Sequence, residues 1–416
     1  MGNMLIRNRV KSLWTAIAAA MLFIVFYAPT IGGRDYFGLI FLYLVFVFLL
    51  VANRVKVTSL SRIMMVHALL IFLLDIINLF NQPASYTMIA RSFVYSFFPL
   101  AAYLVGLSLE KFIDSGELRR IILGIGVIQS LVGVLQVHST QVRVFTLEHY
   151  ANFDKYIYGF ENWSVGRVVG TIGNPNTYGV FIAMFIVFLI TGPLRDDKRK
   201  KVHLVYLGLA TYALILSQSR TAYLLLTVGV YLSYLRSFRR LSTKLVSAIL
   251  LSTVIVGVIL YSDFIVKRFT AANVSTLGGR FDIWRFWVDS FFLPIDTSSL
   301  FGHGSFLVRS VRRGVVDNYY LMVLIQFGII GLISYMYLNI SILRTSLRLR
   351  NEHERNFITI AFLQVLISDL TGTVNMHFAV IISLYFLLGF YHAEGGHYEH
   401  ITNHQSIPRV SESTEK

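Results

Sequence analysis

Residues 315–331 read VVDNYYLMVLIQFGIIG, and the reading of this stretch decides the fold. From Tyr319 to Leu338 the chain is almost wholly apolar, longer than the ~18 residues that mark a helix able to cross a bilayer. Asp317 and Asn318 stand at its head. Ionisable residues at membrane helices are costly and usually functional. The stretch therefore announces a membrane architecture and, with it, a carboxylate at the mouth of one helix.

The rest of the chain repeats the pattern. Of 416 residues, 55% are hydrophobic and 14% charged, against about a quarter charged in soluble domains; the mean hydropathy is +0.64. Apolar runs cover 13–29, 36–52, 63–80, 93–109, 119–137, 175–191, 202–217, 221–235, 245–261, 317–340, 357–373 and 376–391. We expect an all-α, polytopic transmembrane bundle of about 12 spans, one domain over 1–391. Two extracytoplasmic loops, 138–173 and 262–316, should interrupt it, the larger between spans nine and ten. The tail 392–416 should be cytoplasmic and disordered. An outer-membrane barrel would alternate in polarity over ~10-residue segments; GVFIAMFIVFLIT does not.

The formal charge of +15 has a simpler cause than nucleic acid. The loops NRVKVTSLSR, EKFIDSGELRR, PLRDDKRKK, RSFRRLSTK and RTSLRLRNEHER all fall on the N-terminal side of the twelve-span order. Positive loops stay inside, so both termini should be cytoplasmic. Arg7, Arg9 and Lys11 before an apolar run imitate a signal peptide, but the many later spans favour an uncleaved first helix. With no cysteine, disulfides, thiolate chemistry and Cys-ligated metals are excluded. The His-rich tail HAEGGHYEHITNH has the spacing of no known metal motif, and neither metal nor cofactor is expected.

Few polar residues enter the spans. Asp75 and Asp369 lie in outer halves, His67 nearer the inner side, and Arg220 at the outer turn SQSRTA. Transporters more often set a polar site at the midplane on broken helices, so this shallow distribution argues against transport. Spans six, eight and ten run from outside to inside, which points their N-terminal amides and positive dipole ends outward. In GNPNTYG, Asn174 reads as an N-cap and Pro175 as the first helical residue. Arg167 precedes that helix, Arg220 precedes span eight, and Asp317 opens span ten. Each has an ordinary role as cap or interfacial anchor; together they suit a phosphate. Asp317 either caps its helix or faces the bundle. Gly328 and Gly331 fall near its helical stripe at 100° per residue and permit close helix approach, favouring the second. A bundle-facing carboxylate beside arginines is an ion-pair partner or a general base. The Arg-rich 262–316 loop is either a salt-bridged cap or a surface for an anion.

Several stretches resemble one family, the integral-membrane O-antigen ligase and Wzy-type polysaccharide polymerase superfamily. They are GRVVGTIGNPNTYG (166–179), LSQSRTAYLLL (216–226), GGRFDIWRFWVDSF (278–291), LFGHGSF (300–306) and DNYYLMVLIQFGIIGLISY (317–335). The resemblance implies a metal-independent glycosyltransferase working at the outer face of the cytoplasmic membrane, with a polyprenyl-diphosphate-linked glycan as donor. By motif position Arg167, Arg220 and Arg280 would be the diphosphate arginines. Asn176, Asn318 and Tyr319 are further substrate-binding candidates. Arginines that hold the leaving diphosphate more tightly at the transition state accelerate transfer.

One departure matters. Ligases of the superfamily carry His-Asn before the Gly-x-x-Gly of this helix, and this chain has Asp317-Asn318, as polymerases often do. The resemblance therefore leans to a polymerase of lipid-linked repeat units for O-antigen, capsule or exopolysaccharide. An O-antigen ligase acting on lipid A–core, and a lipid-linked oligosaccharide flippase, are the alternatives. The base is Asp317 or His303. A carboxylate with an ordinary pKa of about 3.9 is weak unless burial raises it; His303, in Gly-His-Gly, also fits a plain turn. Asp317 is preferred. A chain-length regulator is the one protein partner the family suggests.

Overall fold

The computed structural model describes residues 2–29, 36–52, 54–79, 86–151, 167–195, 200–237, 280–293, 297–305, 316, 318–370, 372 and 377–403. Their regular structure is all helix, with no strand among the described residues. In chain order the helices are α1 (Gly2–Tyr27), α2 (Tyr36–Val51), α3 (Ser59–Leu79), α4 (Tyr86–Leu109), α5 (Ser115–His138), α6 (Thr140–His149) and α7 (Pro175–Thr191). Then follow α8 (Lys200–Ser217), α9 (Arg220–Ser237), α10 (Arg280–Phe291), α11 (Thr297–Phe301), α12 (Tyr319–Leu347), α13 (Glu352–Ser368) and α14 (Phe378–Asn403). Val10–Tyr27, α3, α4 and α5 are each long and apolar enough to cross a membrane, as is α12 by overall length and composition, although its helix is broken at Gly328; shorter apolar helices lie at Phe37–Val51, α7 and Phe378–Glu394. The chain is a multi-pass helical membrane protein. Leu44 and Phe48 on α2 are 62% and 58% exposed, as expected of a face turned to hydrocarbon rather than water.

The expected ninth span, 245–261, lies outside the described residues. Both expected loops contain helix: α6 in the first, α10 and α11 in the second. The last helix continues to Asn403, past the expected start of the tail at 392; the stretch holds no proline to break its hydrogen-bond ladder.

Helix directions follow from side-chain contacts. A Cβ on Gly179 would meet Ala222, and one on Gly229 would meet Val187, so α7 and α9 run parallel. Gln364 on α13 donates to the Leu225 carbonyl of α9 at 2.8 Å, and His353 Nδ1 lies 2.6 Å from the Thr191 carbonyl at the far end of α7. Thus α13 is antiparallel to both. At that far end Arg119 of α5 pairs with Glu354 at 2.8 Å.

α4 and α14 make the closest crossing. A Cβ on Gly106 would stand 2.0 Å from the Phe386 carbonyl oxygen, and one on Gly389 2.0 Å from that of Tyr103. The two backbones touch through reciprocal glycines, as small residues permit in membranes, where dispersion rather than hydrophobic burial binds helices. Tyr103 extends the contact, its hydroxyl 2.5 Å from His392 Nδ1.

α12 is not one helix. At Gly328 the backbone leaves the helical region (φ 67, ψ −169). In a straight helix Tyr319 and Tyr335 would be ~24 Å apart, yet their ring centroids are 5.3 Å apart. The chain folds back at Gly328: a half-helix ending at Phe327 lies against a second arm running to Leu347. This corrects the expected straight span at 317–340 with a single stripe through Gly328 and Gly331. The half-helix runs opposite to the arm that follows, so spans six, eight and ten do not all start in one common direction as expected. An apolar run gives no sign of the break; a glycine at positive φ makes it.

Two outcomes are expected. Gly389→Ala should destabilise the protein by about 1–3 kcal/mol, read as a lower thermal unfolding midpoint in detergent, because the obstructing atom is backbone. Glu354, ahead of the apolar run that begins at Phe357, has its carboxyl pushed up from 4.5 to about 7 by burial, with the Arg119 guanidinium opposing. A carboxyl raised on folding stabilises its protonated form, so its contribution is greatest below pH 4.5 and is lost as pH rises through about 7. Between these values the unfolding midpoint of wild type should fall relative to that of Glu354→Gln.

Candidate functional site

Arg167, Asn176 and Arg220 gather at the end of the bundle where α7 and α9 begin. Asn174 caps α7 as expected, accepting from the amides of Asn176 (2.9 Å) and Thr177 (3.2 Å), with Pro175 at the first turn. Arg167 is fixed on two sides: Nε donates to the Ser217 carbonyl at 3.1 Å and Nη2 to Asn176 Oδ1 at 2.6 Å. The α8–α9 connection is only Gln218 and Ser219, and it forces Gln218 into the left-handed region (φ 50). A non-glycine residue there is uncommon and costs about 1–3 kcal/mol unless its surroundings impose it. Ser219 accepts from the Ala222 amide at 3.3 Å, and Arg220 opens α9. Arg167, Asn176 and Arg220 thus sit around two adjacent helix N-termini.

What holds Arg167 in place was not read from the sequence. Two glutamines of α5, both fully buried, bolt down the irregular segment that follows it. Gln136 Oε1 accepts from the amides of Val169 and Gly170, each at 3.1 Å. Gln129 donates to the Thr171 hydroxyl, which donates to the Phe26 carbonyl at 2.6 Å. Non-helical backbone at membrane depth survives only with such protein partners. The signal was present: the glutamines are seven residues apart, on one helical face, in an otherwise apolar run.

The second part of the site is Asp369, fully buried at the end of α13. Its Oδ2 accepts from the Tyr335 hydroxyl at 2.8 Å, and its carbonyl accepts from the Tyr319 amide at 2.8 Å. Tyr319 and Tyr335 belong to the two arms of α12, so the fold-back closes on Asp369. Asn318 caps the half-helix, accepting from the Leu321 amide at 2.9 Å, and its amide group donates to the Leu370 carbonyl at 3.3 Å. Asp317 lies outside the described residues. The Gln364–Leu225 bond sets the depth of the two parts. Asp369 is five residues beyond Gln364 and Arg220 five before Leu225 on antiparallel helices, so both lie ~7.5 Å toward the same end.

Arg280 and His303 are not brought together. Arg280 opens α10; His303 Nε2 is 2.7 Å from the carbonyl of Phe291 at its other end, ~16 Å along the helix. A carbonyl accepts only, so Nε2 carries the hydrogen and Nδ1 is the remaining acceptor. α10 buries Trp287 against Met322 and Ile325 of the half-helix, an amphipathic packing that joins the loop to α12. Among the described residues no three His, Asp or Glu side chains group to hold a metal ion.

Residues 205–336, from within α8 to the second arm of α12, match the model of a family described as O-antigen ligase. The resemblance read from the sequence is borne out at this level; the match supports a membrane enzyme of polysaccharide assembly and does not distinguish polymerase from ligase. No curated protein matches the chain.

The bonding of His303 predicts its stability behaviour. His303→Gln, which keeps a donor at similar reach, should hold the unfolding midpoint near wild type, whereas His303→Ala should cost about 1 kcal/mol in a denaturant titration.

Proposed function

We propose that the protein is a polymerase that joins polyprenyl-diphosphate-linked oligosaccharide repeat units at the outer face of the cytoplasmic membrane. The observation that carries this reading is the arrangement of Arg167 and Arg220 around the N-termini of α7 and α9, a ready seat for a diphosphate. The preference for polymerase over ligase rests on Asp317 standing where ligases have histidine.

In this reading the acceptor hydroxyl attacks the anomeric carbon of the donor sugar. The new glycosidic bond forms as the bond to the diphosphate oxygen breaks, and polyprenyl diphosphate leaves with the electron pair. The hydroxyl proton passes to a base, for which Asp317, next to the cap at Asn318, is the preferred candidate and His303 Nδ1 the alternative. Arg167 and Arg220 meet the charge that grows on the leaving diphosphate. Arg280, at the far end of α10, serves a different part of the substrate or joins only when α10 moves. A flippase is the second reading because α12 is broken, as transporter helices often are; against it, the α11 segment fills the break.

Purified protein given a polyprenyl-diphosphate-linked repeat unit should yield a ladder of lengths and release polyprenyl diphosphate. Product on lipid A–core alone would make it a ligase; repeat units moved across liposomes without joining would make it a flippase. Arg167→Ala should lower kcat about 10²–10³-fold, the scale of one lost transition-state donor.

A further inference from the structure

Asp75 is a carboxylate on a membrane-spanning helix, 3% exposed, and the transfer reaction as described has no use for it. Its bonds are nonetheless well defined. Oδ1 accepts from the Ser305 amide at 2.8 Å; Oδ2 accepts from the Ser305 hydroxyl at 2.8 Å and from the Ser92 hydroxyl of α4 at 2.7 Å. One turn on, Asn78 donates to the Phe301 carbonyl at 3.4 Å. α3 therefore grips 297–305 at its end.

That segment lies in the break of α12. A Cβ on Gly302 would stand 2.2 Å from the Gln326 carbonyl oxygen, and one on Gly328 2.1 Å from that of Leu300. Two glycines at positive φ lay each chain's backbone on the other. The His303 amide donates to the Ile325 carbonyl at 2.9 Å, an acceptor that the fold-back takes out of the helical ladder. The position of the vertex at Gly328 thus depends on 297–305, and the position of 297–305 on Asp75. The half-helix carries that dependence down to Asn318 and Tyr319 on Asp369.

We propose that Asp75 is a positioning residue for glycosyl transfer: by holding 297–305 in the break of α12 it sets where the head of the half-helix stands relative to the arginines. The claim for the reaction rests on the transfer reading above; the tether itself does not. Three hydrogen bonds converge on this one side chain, and an acidic residue at membrane depth is costly without such partners.

The chain has no cysteine, so Ser299→Cys places a single thiol in α11, at a residue 1% exposed. In this background Asp75→Asn should raise the rate of labelling by a membrane-impermeant maleimide at least about tenfold, while Ser92→Ala, which leaves the segment's own bonds intact, should not. An unchanged rate in Asp75→Asn overturns the tether, whatever the activity. In the transfer assay Asp75→Asn should lower kcat at least about tenfold with KM for the lipid-linked donor within about twofold. A wild-type kcat with faster labelling overturns the positioning role; a raised KM with kcat unchanged does so too. Should Asp75→Asn fail to fold, Ser305→Ala removes the hydroxyl bond from the loop side and is read by the same two rates. Absence of transfer by the wild-type protein refutes the functional reading, and the labelling comparison then decides the tether alone.

Discussion

Backbone that is not helical must find its hydrogen-bond partners inside the protein when no water is at hand. The structure at the Arg167 end is organised around that requirement. Two irregular segments enter there, and each is met by polar side chains projected from a span that is otherwise apolar. Gln129 and Gln136 serve the 167–171 stretch; Asp75 and Asn78 serve 297–305. The carbonyl freed at the α12 break is met by the His303 amide. These side chains fix the depth and orientation of whatever the irregular segments carry.

The site that results combines two kinds of rigidity. Arg167 is held by a bidentate grip on Asn176 and the Ser217 carbonyl, so its fork is already oriented before any ligand arrives; little side-chain entropy remains to be lost on binding. Asp369, by contrast, is held by the two arms of a folded helix whose vertex is at Gly328. The part around Arg167 is thus preset, and the part at the head of the half-helix is the one that a change of loop position would alter.

Much of the fold was legible because hydropathy is a property of runs. The spans appear wherever some twenty apolar residues follow one another, and Asn174-Pro175 marks a helix start through local chemistry that needs no tertiary partner. Gly328 was read as a packing glycine because its neighbours are apolar on both sides, and nothing local distinguishes a close approach from a reversal. The partner of Asp75 is 230 residues away in sequence, so its role is invisible without the fold. α10 was legible in principle: Ile283, Phe286 and Trp287 with Phe291 make an apolar helical face, obscured by the arginines and aspartates between them. The pairing of Arg167 with Asn176 is not legible in the sequence, and the glutamines behind it bond to groups 33 and 42 residues further on, which only the fold brings within reach.

The reciprocal glycines of α4 and α14 bear on how the protein is made. α4 receives its closest neighbour only when the last helix emerges, roughly 280 residues later, which at common synthesis rates is ~15–60 s. Until then the groove over Gly106 faces lipid or a provisional occupant, with Tyr103 lacking the histidine it meets in the finished bundle. Seating α14 thus fits a helix into a slot whose walls are main chain, and a nascent chain that stops before residue 389 lacks the glycine that meets the Tyr103 carbonyl.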